Sequence, residues 1–162
     1  MTLIYQLLVE LLARGIWEAG LFLYGTLLLA GTEIPKRKFI LTAAVFSLIA
    51  LAVRHLPISF GIHTMIIIVF LNLIVILLFN VTLEQTIKSS VIVTCIMFAL
   101  EGLNGLVLQL IIGKEEFFNI CIDQVSKVLY FTPSMFLFLI VIYVMDKVLK
   151  KKRGELNAGR DK

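Results

Sequence analysis

Five long runs of apolar residues, separated by short polar segments, make up most of this chain. About 20 consecutive apolar residues in a helix are enough to cross the hydrocarbon core of a bilayer. Several of the runs approach or exceed that length, so the pattern predicts five membrane-spanning helices. A six-span alternative lets Leu3–Leu12 cross or dip separately, although this segment is too short to span unaided. The five predicted spans are about Leu3–Ala30, Lys38–Val53, Ile58–Phe79, Ser89–Ile112 and Val128–Met145.

Composition supports this interpretation. The chain has 162 residues, of which 60% are hydrophobic, and its mean hydropathy is +1.01. A soluble fold of this size leaves a large fraction of its surface exposed, so it could not hide so much apolar surface. The predicted fold class is therefore all-α, a polytopic bundle of transmembrane helices. The segment MTLIYQLLVELLARG lacks a basic leader and a small-residue cleavage site, and we expect it to be retained.

Basic residues predict the orientation of the bundle. Cytoplasmic segments of membrane proteins carry an excess of Lys and Arg. Five spans place Lys36–Lys38, the TLEQTIK connection and the basic C-terminal segment on one side, and together these carry 11 of the 15 basic residues. This predicts an N-terminus outside the cell and a transmembrane domain over residues 1–150. A short basic cytoplasmic tail over residues 151–162 completes the chain. The net charge of +4 follows from this topology and does not indicate nucleic acid.

Five polar residues on three predicted spans fall in the outer half of the bilayer. Depths follow from the helical rise of 1.5 Å per residue. Charged side chains within a membrane are costly, so they usually face the protein interior and mark functional sites. We expect either an outward-facing ligand pocket or a buried structural network, in which Arg14 neutralises Glu18 or Glu101. A local ladder of Glu10, Arg14 and Glu18 is a further interpretation. The five candidate residues are Arg14, Glu18, His63, Glu101 and Asn104.

Several other residues have simpler predicted roles. Arg54 and His55 are expected to end the second span at the outer interface, where a lone basic residue is tolerated. Pro133 is expected in the first turn of the fifth span, where proline is accommodated easily. Asn72 and the hydroxyl residues of the fourth span are expected to form hydrogen bonds between helices. Cys95, in an apolar run, is expected to be buried.

The sequence contains no recognisable motif for enzymatic catalysis. It contains no GxxxxGK[ST] or GxGxxG loop for nucleotides. It has no HExxH motif, and its two cysteines lack the spacing of metal ligands. His63 and Cys95 lie on different predicted spans at different depths, which disfavours a cysteine peptidase. We therefore predict no catalytic residues, no metal, no cofactor and no enzymatic activity.

Three short motifs resemble the N-terminal membrane-sensor region of Gram-positive sensor histidine kinases of the Agr or GHKL type. They are the charged ARGIWEAGLFLYG followed by PKRK, the turn RHLPISFGIHT, and the acidic FALEGLNG of the fourth span. The resemblance covers roughly Leu3 to Lys152 and implies a bacterial cell-membrane protein that detects extracellular signals, often peptides. Those kinases continue into a phospho-accepting helical segment and an ATP-binding domain. This sequence continues only as GELNAGRDK after Arg153, so we expect no phosphorylation by this chain.

These observations favour a non-catalytic membrane sensor or regulatory module. It would bind an extracellular small ligand or peptide in the outer-half pocket and signal to a partner protein. The partners predicted are membrane lipid, a histidine kinase or other cytoplasmic output protein, and a second copy of the chain. Two alternatives stay open, namely a small transport subunit that binds a substrate and a structural membrane protein. The absence of a visible inverted repeat slightly weakens the transport alternative.

Overall fold

The computed structural model describes residues 15–56, 60–122 and 124–158. Within these ranges the chain forms six helices and no strand, which confirms the all-α class. Three of them, α3, α4 and α6, are long and apolar enough to cross a membrane, whereas α1 is a shorter apolar helix. The helices are α1 (Ile16–Ala30), α2 (Lys36–Arg54), α3 (Phe60–Phe79), α4 (Leu83–Ile112), α5 (Lys114–Ile122) and α6 (Gln124–Ala158).

Helix α1 lies at the centre of the bundle. It packs against α2, α3, α4 and α6, which surround it in chain order, and α5 lies across α4 and α6. Short connections make successive helices from α1 to α4 antiparallel. Within the described residues α2 and α6 do not pack against each other, so α1 is left uncovered between them. We call the end of the bundle at which α1 begins the Glu18 end, and the opposite end, which carries Lys36–Lys38 and Lys147–Lys152, the basic end.

The turn between α1 and α2 follows from two residues with special backbone preferences. Gly31 has a φ of 78°, a left-handed conformation that glycine adopts at little cost. The Gly31 N–H donates to the carbonyl of Leu28, and the Thr32 N–H donates to the carbonyl of Leu27, both at 3.2 Å. These bonds satisfy carbonyls at the end of α1. Pro35 then precedes the first residue of α2, where its missing N–H costs no helical hydrogen bond.

Two apolar clusters hold the bundle together, and α1 contributes to both. Leu23 and Leu27 are fully buried among residues of α2 and α3. On another side of α1, Phe22 contacts the cluster formed by α4 and α6. At Gly25 the helices approach so closely that a Cβ atom would lie 2.8 Å from the side chain of Ile142 and 3.1 Å from that of Val93. This contact fixes the register of α1, α4 and α6.

A hydrogen bond between α3 and α4 confirms the predicted role of Asn72. The buried Ser90 hydroxyl donates to Asn72 Oδ1 at 3.0 Å, while Asn72 Nδ2 donates to the carbonyl of Ile68 at 2.8 Å. Other buried hydroxyls return to their own helix, as when Thr94 donates to the carbonyl of Ser90 at 2.7 Å. Both arrangements satisfy polar groups that apolar surroundings would otherwise penalise.

Three expectations from the sequence differ from the structure. Pro133 lies inside α6 rather than in its first turn, because the helix begins at Gln124. Cys95 is exposed, because it faces away from α1, on the opposite side of α4 from the buried Val93 and Met97. The segment expected to connect the third and fourth spans is mostly helical, because Thr82 caps α4 by accepting a hydrogen bond from the Gln85 N–H at 3.4 Å.

Candidate functional site

An ion pair between α1 and α2 dominates the Glu18 end of the bundle. Arg54 Nη2 donates a hydrogen bond to Glu18 Oε1, and only 12% of the Glu18 side chain and 28% of the Arg54 side chain are exposed. Glu18 lies in the first turn of α1 and Arg54 is the last residue of α2, so the antiparallel packing brings them together. Partial burial weakens solvent screening, which makes this pair stronger than one on an open surface.

His63 attaches α3 to the same place. Its Nδ1 atom lies 2.9 Å from the carbonyl oxygen of Val53, the residue before Arg54. A carbonyl only accepts hydrogen bonds, so this contact requires the proton on Nδ1. Val53 is in the last turn of α2, and its carbonyl also accepts a hydrogen bond from the Leu56 N–H at 3.2 Å. His63 therefore holds the backbone from which Arg54 extends.

Asn104 joins α4 to α6. Asn104 Nδ2 donates to the carbonyl of Tyr130 at 3.1 Å, three residues before Pro133. Proline disturbs the carbonyls of the preceding helical turn, which makes that region of α6 a natural place for an outside donor. Glu101 is half-buried, one turn before Asn104.

The helix register places these residues at similar depths but on different sides of α1. Gly25 faces Val93 of α4, and seven residues from each toward the Glu18 end are Glu18 and Leu100. Glu18 and Glu101 are therefore at about the same level along the bundle. Among the hydrogen bonds that the structure describes, these residues contribute to two sets. One joins α1, α2 and α3 through Glu18, Arg54 and His63, and the other joins α4 to α6 through Asn104.

Arg14, the fifth candidate, lies outside the described residues, and so does the expected pairing of Glu18 with it. Within the described residues Glu18 pairs with Arg54, which the sequence suggested was only an interfacial charge. A signal for this pairing was present: Arg54 ends the second span on the side where Glu18 enters the first. The charges of Glu18 and Arg54 and their positions along their helices could be read from the sequence. The direction in which each side chain points could not.

The Glu18–Arg54 pair supplies groups suited to recognising a charged ligand. A guanidinium can hold a carboxylate through two parallel hydrogen bonds, and the neighbouring carboxylate accepts donors. No cluster of three or more His, Cys, Asp or Glu side chains suited to a metal ion occurs in the part of the chain that the structure describes. A ligand with a carboxylate could therefore compete with Glu18 for Arg54.

Comparisons with known proteins find no relative of this chain. No protein-family model matches the chain, and neither a curated protein nor a solved structure matches it.

Proposed function

We propose that this protein is a non-catalytic membrane module that binds a small extracellular ligand or peptide at the Glu18 end. The Glu18–Arg54 ion pair carries this proposal, because it is partly buried and joins two helices. Its guanidinium could also bind a carboxylate of a ligand. In the proposed orientation the Glu18 end faces outward and the basic end faces the cytoplasm. The resemblance of three sequence motifs to the membrane-sensor region of Agr- or GHKL-type kinases supports the same class of function.

The proposed signal is a change in the packing of α1. In the resting state the ion pair holds α1 to α2, and the His63 contact holds α3 to the same turn. A ligand carboxylate that takes Arg54 releases Glu18 and favours a second position of α1. Binding can shift such an equilibrium only if the ligand prefers one arrangement, which competition for Arg54 provides.

The output is proposed to leave through α6. This helix packs against α1 and continues without a break from Gln124 to Ala158, so it carries the basic residues beyond the bundle. A shift of α1 at Gly25 acts directly on Ile142 of α6, because these residues are in close contact. A cytoplasmic partner bound to residues 147–162 would then receive the movement.

The orientation is tested with single cysteines in a background that carries Cys95→Ser and Cys121→Ser. His55 and Glu33 are both exposed, in the turns at opposite ends of α2. We expect a membrane-impermeant maleimide added outside the cell to label His55→Cys but not Glu33→Cys. Labelling of Glu33→Cys alone would reverse the orientation and contradict the proposal.

Ligand binding is tested by exchanging the two charges. The double variant Glu18→Arg, Arg54→Glu keeps an ion pair but places the guanidinium on the other helix. Purified protein in nanodiscs is titrated with the peptide fraction of spent medium from the cells that make it, and its melting temperature is measured. We expect the fraction to raise the melting temperature of the wild type only, because ligands that bind the folded state stabilise it.

An unchanged wild-type melting temperature, or an equal rise in both proteins, would contradict recognition by Arg54. Accumulation of a labelled solute by reconstituted vesicles, lost in Glu101→Gln, would support a transport subunit instead.

A further inference from the structure

A groove of about 720 Å³ runs along the uncovered side of α1, between α2 and α6. Its walls are almost entirely apolar, and α1 forms its floor from Trp17 to Tyr24. Gly20, between these residues, leaves the floor open, since a Cβ atom there would have no neighbour within 4 Å. Lipid tails are as apolar as leucine side chains, so either an acyl chain or another helix can fill such a groove. The charges at its basic end distinguish between the two.

The α6 wall of the groove continues into two lysines at the basic end. Leu139, Tyr143 and Asp146 line this wall. Lys147 and Lys150 each follow one of these lining residues by four positions, so both lie on the same face of the helix. Both lysine side chains are exposed. The apolar wall therefore ends in cations that face the same side as the groove.

The α2 wall ends in the same way. Phe39 and Ile40 line it near the basic end. Lys36 comes three and four residues earlier, in the first turn of α2, and therefore lies on the same face. The acidic Glu33 lies in the turn before α2, but the three consecutive basic residues Lys36–Lys38 outnumber it. The two helices thus place exposed cations on both sides of one groove mouth.

The acidic residue that lines the groove is already neutralised. Lys150 donates to Asp146 Oδ2 at 2.7 Å, and the Tyr24 hydroxyl also interacts with this carboxylate. Lys147 lies outside this pair, and its Nζ is 4.8 Å from the ring centroid of Tyr143, beside the groove wall. Asp146 is the one acidic side chain among the described residues that line the groove. Lys147 and the lysine of α2 therefore give the mouth a net positive charge.

The length of the groove matches one leaflet of a bilayer. From Leu139 to Lys150 the axis of α6 rises by about 16 Å at 1.5 Å per residue. The hydrocarbon core of a bilayer is about 30 Å thick, so one leaflet contributes about 15 Å. An acyl chain that begins beside the lysines therefore reaches the far end of the groove.

We propose that the groove binds one acyl chain of an acidic phospholipid, whose phosphate lies between Lys36 of α2 and Lys147 of α6. Basic pockets between membrane helices are suited to anionic head groups. A zwitterionic lipid carries its own cation beside the phosphate, so it gains less from the two lysines. A second copy of the chain in the same orientation would bring its own basic end to this mouth, where like charges repel. The lipid site is separate from the ligand site proposed at the Glu18 end.

Native mass spectrometry of the full chain tests this proposal, because it counts bound lipids and chains together. The protein is released from detergent micelles that contain equal amounts of phosphatidylglycerol and phosphatidylcholine with the same acyl chains. We expect one retained phosphatidylglycerol per chain and about a tenfold preference over phosphatidylcholine. Equal retention of the two lipids, or retention of neither, would overturn the proposal. A dimer without lipid would assign the groove to a second copy of the chain instead.

Lysine variants test the position of the phosphate. Lys36→Gln and Lys147→Gln should each lower the retention of phosphatidylglycerol about fivefold and leave that of phosphatidylcholine unchanged. Lys88→Gln is the matched control, since Lys88 is an exposed lysine of the basic end that lies on α4 and does not line the groove. An equal loss in Lys88→Gln would show a general attraction of acidic lipid to the basic end and would contradict a site at this groove.

A matched pair of glycine variants tests the place of the acyl chain without changing any charge. Gly20→Leu fills the floor of the groove, whereas Gly102→Leu adds the same side chain on α4, where a Cβ atom also has no neighbour within 4 Å. We expect Gly20→Leu to abolish retention of phosphatidylglycerol and Gly102→Leu to preserve it. Loss in both variants, or in neither, would contradict binding in this groove.

Discussion

The two ends of the bundle use ion pairs in opposite ways. At the Glu18 end, Glu18 and Arg54 join α1 to α2 across 36 positions of sequence, and both side chains are mostly buried. At the basic end, Glu84 and Lys88 form a pair one turn apart within α4, with 76% and 69% of their side chains exposed. The first pair constrains tertiary structure, whereas the second supports only its own helix. Separation along the chain and burial, rather than the presence of opposite charges, decide which pair organises the fold.

The largest expected effect is the loss of one partner at the Glu18 end. Arg54→Gln removes the guanidinium that pairs with the partly buried Glu18, so we expect the free energy of unfolding to fall by about 2 kcal/mol. This value lies between those of exposed and fully buried pairs. Denaturant unfolding in micelles, followed by helical circular dichroism, measures it. The charge-exchanged double variant should recover at least half of the loss. A double variant as unstable as the single one would show that the pairing itself contributes nothing.

Loss of an uncharged hydrogen bond between two helices should have an intermediate effect on the free energy of unfolding. Ser90→Ala removes the hydroxyl that donates to Asn72 Oδ1. We expect a loss of about 0.6 kcal/mol, the typical value for a hydrogen bond between membrane helices. Thr94→Ala is the matched control, since the Thr94 hydroxyl bonds only within α4 and its removal should cost less. If Thr94→Ala costs as much as Ser90→Ala, the bond to Asn72 has no special role in joining the helices.

The smallest effect is expected at the exposed pair of the basic end. Glu84→Gln should change the free energy of unfolding by no more than about 0.5 kcal/mol, because water screens pairs of this kind. Raising the salt concentration should remove even that difference, while the effect of Arg54→Gln should largely persist. A loss at Glu84 comparable to that at Arg54 would contradict the distinction between the two ends.

The helical class and the similar level of Glu18 and Glu101 along the bundle were predictable from the sequence, because both follow from the period and length of apolar runs. The side chains with which these polar residues pair were less predictable. Arg14 lies outside the described residues, and the partner that the structure gives Glu18, Arg54 of the next helix, was not expected from the sequence. Sequence spacing identifies neighbours within a helix, whereas neighbours on another helix depend on how both helices are rotated.

The groove shows the same division. Its residues are ordinary in the sequence, where Trp17, Gly20 and Tyr24 belong to one apolar run and Asp146 looks like the start of a polar tail. They line one groove only because α2 and α6 leave one side of α1 uncovered.

The sequence alone determined that this chain forms apolar helices and that charge collects at one end, because hydrophobicity and charge belong to individual residues. Only the tertiary structure decided that Arg54 meets Glu18, that His63 holds the carbonyl of Val53, and that Asp146 ends a groove. These contacts depend on the rotation and register of packed helices. Close approaches such as that at Gly25 determine that geometry through steric fit between residues far apart in the chain.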